Sequence, residues 1–235
     1  MKIHKLTTTL TALIASFVTA SMTAATIGIG TEIGIDFGDA AGIATNWNTL
    51  AEPGNDKAAG TLTDTAGNLV SDVAFTTNTP TGGSGGLGQN DASEISSGYL
   101  GIPDAAQDDW WFEGKTGTSG DFILTFSGLD DSLTYDLIIG AYAPGGTATA
   151  QLNRNTRWLV DGQTQDTDAD SLAGSYVTFT GLETDGSGNL VITSPPIGSN
   201  QISVVSALQL TAVPEPSSLA LGLVGLAGLC LRRRR

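Results

Sequence analysis

Short apolar runs with alternating polarity dominate the chain between its two ends. Ile33-Gly34-Ile35-Asp36-Phe37, Phe122 to Phe126, Tyr135 to Tyr142, Ser175 to Phe179 and Asn189 to Thr193 follow this period-two pattern, which suits a strand with one face buried. Such runs recur about every 8–12 residues and are separated by clusters of Gly, Asp, Asn, Ser and Thr that favour turns. Trp158-Leu159-Val160, Asp161-Gly162 and Gln163-Thr164 together predict a hairpin closed by a type I′ turn, because Asp-Gly accepts two successive positive φ angles. Ile202 to Leu210 reads as one long final strand. Ser127 to Asp131 and Thr180 to Thr184 read as polar connections, and Asn78 to Asn90 reads as a flexible loop. Ala105 to Phe112 reads as one short turn. No part of the body carries helical periodicity beyond two turns. The pattern predicts an all-β body, an antiparallel β-sandwich, as one domain over residues 26–212.

Charge narrows the partners. Between Thr26 and Val213 four basic residues (Lys57, Lys115, Arg154, Arg157) face 23 acidic ones. A body this acidic repels phosphate backbones, which excludes nucleic acid as a partner. The single histidine, His4, and the single cysteine, Cys230, both lie in the end segments. The body therefore has no residues for Ser-His-Asp or Cys-His catalysis, for a His- or Cys-ligated metal, or for a disulfide.

The two ends follow a different logic. Residues 1–25 carry Lys2 and Lys5, then a mostly apolar run from Leu10 to Thr19, then small residues around Thr23-Ala24-Ala25. That order predicts a helical secretory signal cut near Thr26 by signal peptidase. At the other end, residues 213–235 contain Val213-Pro214-Glu215-Pro216, thirteen uncharged residues from Leu219 to Leu231, and Arg232, Arg233, Arg234 and Arg235. Thirteen helical residues span about 20 Å, less than the roughly 30 Å of a hydrocarbon core. The positive-inside rule keeps the arginines cytoplasmic and the body outside. The expectation is a short apolar helix that holds the chain at the inner membrane.

This tail resembles the PEP-CTERM sorting signal, whose parts are a Pro-Glu-Pro motif, a short hydrophobic helix and a terminal arginine cluster. The resemblance implies export through the inner membrane and a transient membrane-anchored stage. It further implies processing by an exosortase, followed by residence at the cell surface or in the extracellular matrix, with an association to exopolysaccharide and biofilm. The body is similar, more loosely, to galactose-binding-like and malectin-like jelly rolls. That likeness is carried by Ile35-Asp36-Phe37-Gly38, Asn46-Trp47-Asn48, Tyr135-Asp136-Leu137, Gly188-Asn189-Leu190-Val191-Ile192 and Ala207-Leu208-Gln209-Leu210. It implies a jelly-roll-like sandwich and an inclination to bind sugar.

Two constellations in the body carry candidate chemistry. Asp108-Asp109 precede Trp110-Trp111-Phe112. A saccharide site pairs an aromatic face with carboxylate acceptors for hydroxyls, and adjacent residues of a strand point to opposite faces, so one of Trp110 and Trp111 is expected to face solvent. Core packing is the competing reading, since aromatic residues dominate core energetics. Trp47 between Asn46 and Asn48 repeats the chemistry on a smaller scale. Asp166, Asp168 and Asp170 alternate like the first ligands of a calcium loop, although Ser171 and Val177 stand where that loop needs Gly and Glu. Structural calcium is the candidate cofactor, and a solvated acidic turn is the competing reading.

These observations converge on an exported surface or matrix protein whose candidate activity is non-catalytic polysaccharide binding. The alternatives are a carboxylate-dependent glycan hydrolase or lyase on the same sandwich and a purely structural matrix component. No acidic pair stands out among 23, and no catalytic residue is assigned.

Overall fold

The computed structural model describes residues 27–38, 44–50, 57–59, 61–78, 84–89, 102–103, 106, 109–115, 121–143, 155–169, 174–195 and 201–215, with the backbone alone at 57, 84–89, 109–115 and 201–202. The segments expected to form the signal helix and the apolar C-terminal helix lie outside these residues. Among the described residues no helix is long and apolar enough to cross a membrane.

The elements in chain order are β1 (Glu32–Asp36), β2 (Asn48–Thr49), β3 (Lys57–Ala59), β4 (Leu62–Thr63), β5 (Leu69–Val70), β6 (Ala74–Asn78), β7 (Ser84–Gln89) and β8 (Asp109–Lys115). They continue with β9 (Phe122–Ser127), β10 (Leu133–Gly140), β11 (Asn155–Val160), β12 (Gln163–Asp168), β13 (Tyr176–Leu182), β14 (Leu190–Ser194), β15 (Gln201–Val205) and β16 (Ala207–Pro214). Five strands form one sheet in the order β13-β10-β16-β1-β2, and six form another in the order β12-β11-β14-β9-β6-β3. A three-stranded sheet β15-β8-β7 and the small pair β4-β5 complete the set. Every ladder is antiparallel except the short one between β1 and β2.

The expected alternation becomes burial. In β9 the pattern is strict, with Phe122, Leu124 and Phe126 buried and Ile123, Thr125 and Ser127 less so. Ile33, Ile35, Leu137, Ile139, Phe179, Leu208 and Leu210 of the five-stranded sheet share one cluster with Phe75, Phe126, Trp158, Val160 and Ile192 of the six-stranded sheet. Phe75 joins the layers, edge-on to Phe37 at 6.0 Å and tilted against Phe126 at 4.7 Å. Two sheets facing one apolar layer make the all-β body consistent with a sandwich.

Tyr135 fixes one end of this packing. Its hydroxyl accepts from Asp130 N at 2.9 Å and donates to Asp130 O at 3.1 Å, a tyrosine corner of the kind that ties a loop to the strand after it. The Asp161-Gly162 hairpin forms with φ of 45° and 71°, the two positive values a type I′ turn requires.

Local pattern misplaced four segments. The final run divides at Ser206: β15 pairs with β8, while β16 lies between β10 and β1. Ser206 N donates to Gly140 O and its carbonyl accepts from Phe37 N, so the chain changes sheets there without losing backbone bonds. The segment from Asn78 to Asn90 is more than a loop, because Ser84–Gln89 pairs along β8; its glycines stand opposite large residues, Gly88 opposite Trp110 and Gly86 opposite Phe112. The turn read over Ala105 to Phe112 is strand from Asp109 onward. Thr180, Gly181 and Leu182 still belong to β13, whose register against β10 shifts between Tyr135 and Leu137.

Candidate functional site

Asp109, Trp110 and Trp111 open β8, the central strand of its sheet, and Asp108 lies outside the described residues. The register sets Trp111 opposite Leu87 and Val205, and Trp110 opposite Gly88. Val205 is fully buried in the main core and Val204, one position away, is fully buried among Ala141, Ala143 and Ala169. Both faces of β15 are thus covered where it runs beside Trp111 and Phe112.

Asp166 and Asp168 both lie on β12, and Asp170 lies outside the described residues. Arg157, directly across the ladder, holds both carboxylate oxygens of Asp166 in its fork, Nε to Oδ1 and Nη2 to Oδ2 at 2.8 Å each. That fork holds the Asp166 carboxyl below its usual range and pushes the guanidinium up. Among the described residues no group of three His, Cys, Asp or Glu side chains is placed to hold a metal ion.

The outer face of the five-stranded sheet holds residues that sequence reasoning did not single out as a site. One row across the sheet reads Tyr176, Gly140, Ala207, Asp36, Thr49, and the next reads Thr178, Ile138, Gln209, Gly34. Trp47 lies over Gly34 so closely that a Cβ built there would stand 2.3 Å from the indole ring, and Tyr176 covers Gly140 in the same way at 2.9 Å. Trp47 and Tyr176 join Ala44, Ile102, Ala106 and Ala207 in a second apolar cluster. Trp47 is therefore a packing residue, only 7% exposed, and its neighbour Asn48 bonds the backbone of Gly34 and Thr63. Asp36 and Gln209 are buried beside it, and Thr49 Oγ1, Ser206 Oγ and Gln209 Oε1 have no hydrogen-bond partner among the described residues. The signal was present in the sequence: Asp36 follows Ile33-Gly34-Ile35, and Gln209 stands between Leu208 and Leu210.

The C-terminal motif begins inside the fold. Ala212, Val213 and Pro214 are the last three residues of β16, opposite Tyr135, Thr134 and Leu133. From the other side the turn at 28–31 grips the same strand, Gly30 N donating to Ala212 O at 2.8 Å and Ala212 N to Thr31 O at 3.0 Å. Pro216 and the segment beyond it lie outside the described residues.

The family model of the PEP-CTERM protein-sorting motif matches residues 212–235. The chain thus carries the sorting motif that marks exported, surface-sorted proteins and implies processing by an exosortase. No curated protein matches the chain. Among solved structures it is distantly similar to the ectodomain of ANX1 from Arabidopsis thaliana, at 11% identity over 80% of this chain and 42% of that one, with a TM-score of 0.43. It is also similar to the plant receptor-like kinase FER, at 12% identity over 78% and 42%, with a TM-score of 0.40. A third likeness is to a family 35 carbohydrate binding module from Clostridium thermocellum, at 16% identity over 58% of this chain and 96% of that one, with a TM-score of 0.27. The chain spans about two fifths of the ANX1 and FER structures.

Proposed function

We propose that this protein is an exported surface or matrix component, held at the inner membrane by its C-terminal segment until an exosortase processes it, and that it binds extracellular polysaccharide without catalysis. The sorting motif at residues 212–235 carries the export part of this reading. Intact mass of the surface-extracted protein tests it: the expected species begins near Thr26 and lacks the residues after Pro216, and a main species retaining Arg232 to Arg235 would overturn it.

The binding part rests on the acidic–aromatic segment of β8. The glycine opposite Trp110 supplies no side chain at the cross-strand position, whereas Trp111 stands opposite a residue of the main core. On this reading Trp111 is the core-facing ring of the pair, and Trp111→Ala should cost about 3–5 kcal/mol. Trp110→Ala should change stability by about 0.5 kcal/mol or less and weaken retention on polysaccharide. Unchanged retention of a stable Trp110→Ala variant would end the claim for this segment.

A further inference from the structure

In this protein the sorting motif has no spacer separating it from the folded body. Val213 and Pro214 form the last two rungs of β16 on β10, and Ala212, where the match to the motif begins, is fully buried. Three contacts fix this strand end. Thr134 and Leu133 pair with it on one side, the 28–31 turn closes on Ala212 from the other, and the tyrosine corner pins Asp130 just ahead of β10. Ile27, immediately before that turn, is buried in the main core. The expected signal cut near Thr26 and the Pro-Glu-Pro motif therefore flank one pole of the sandwich, and Ile29 stands 64% exposed at its tip.

Chain length sets how far this pole can stand from the bilayer. Four residues separate Pro214 from Leu219, where the apolar run begins, and the five residue steps this makes reach at most about 18 Å when fully extended. The headgroup layer takes about 5–8 Å of that distance. The remainder is about the width of one helix, too little for a folded module to stand between body and membrane. An enzyme in the membrane that reads Pro-Glu-Pro thus meets the pole at the same moment.

Building on the sorting reading above, we propose that the sandwich is part of the sorting substrate. The membrane-embedded processing enzyme docks on the pole formed by the 28–31 turn and the 130–132 loop while it reads the motif on the end of β16. Holding the motif against a docking surface raises its effective concentration at the active site, which a flexible tether would dilute.

The test uses the full chain in the cell that processes it, following loss of the form bearing Arg232 to Arg235 after a pulse label. One variant keeps β16 intact through Pro214, adds eight Gly/Ser residues, and then repeats the sequence from Val213 onward. Its melting temperature should match the parent, and its tail should be removed about fivefold more slowly, since the motif is then diluted over a coil of about 15 Å. Ile29→Glu, at an exposed position, localises the contact and should slow removal without changing the melting temperature. Removal from the spacer variant at the parental rate or faster would overturn the proposal, whatever Ile29→Glu does. Failure of the parent itself to lose the tail would instead overturn the sorting reading.

Discussion

At Gly34 a missing side chain does structural work. The indole of Trp47 occupies the space above it, with ring atoms 2.3–2.7 Å from where a Cβ would stand, so Gly34→Ala must displace either the ring or β1. Overpacking of this kind costs about 1–3 kcal/mol. We expect a lowered denaturation midpoint and a red-shifted tryptophan emission as Trp47 is pushed towards water. An unchanged emission spectrum and midpoint would show that the ring does not rest on this position. The sequence pattern offered Trp47 as a sugar platform because Asn46 and Asn48 flank it. What it could not show is that β2 runs parallel to β1 and carries the indole back over a glycine.

At the scale of elements, the seam between β12 and β13 shows how the sandwich treats its free edges. β12 ends the six-stranded sheet and β13 ends the five-stranded one. Gln163 Nε2 donates to Thr180 O at 3.0 Å and Gln165 Nε2 to Thr178 O at 2.5 Å, so alternate side chains of one edge satisfy alternate carbonyls of the other. An uncovered strand edge is a template for pairing with another chain. The double variant Gln163→Val, Gln165→Val should therefore associate in a concentration-dependent way by light scattering while keeping its strand content by circular dichroism. A variant that stays monomeric at all concentrations would show that the edge is protected by something else. The alternation of Gln163 and Gln165 was legible in the sequence. That they reach a strand of the opposite sheet was not, because the partners are 13 and 17 residues away and no local rule pairs them.

For the whole molecule, stability should narrow at both ends of the pH scale. In the folded protein the Asn68 amide holds the Asp64 carboxyl below its ordinary value, and Asn189 does the same for Asp185. A carboxyl depressed by folding contributes stability above its unfolded value of 3.8, and that contribution is lost as pH falls through the lower folded value. Tyr135 moves the other way: burial pushes its phenol up from 10.0 to about 12. A raised value means the contribution is complete below pH 10 and is lost as pH rises towards 12. Melting temperature against pH should fall below about pH 4 and again above about pH 10. Asn68→Ala with Asn189→Ala should flatten the acid limb, and Tyr135→Phe should flatten the alkaline one. Limbs unchanged in these variants would assign both losses to other groups.

Two stretches of matching pattern show where neighbouring residues suffice and where strand pairing governs. Asp64-Thr65-Ala66-Gly67-Asn68-Leu69-Val70 returns as Asp185-Gly186-Ser187-Gly188-Asn189-Leu190-Val191. Both close into the same clasp: the aspartate N donates to the asparagine O at 2.9 Å, and the asparagine N and Nδ2 donate back to the two carboxylate oxygens. Gly67 and Gly188 supply the positive φ that the turn needs. All of these partners lie within five residues, so the clasp is legible in the local sequence, as is the Asp161-Gly162 turn. The two residues after each clasp behave differently. After the first, Leu69 is exposed and Val70 is buried against Leu62 of β4; after the second, Leu190 is buried opposite Phe126 of β9 and Val191 is exposed. The same dipeptide turns opposite faces to the core because a strand's inward face is set by the partner it pairs with, and a shift of one residue exchanges the two faces. The same reason explains why Ser206 divides one apolar run between two sheets, and why β16 runs on through Val213 and Pro214 so that the sorting motif starts inside the fold.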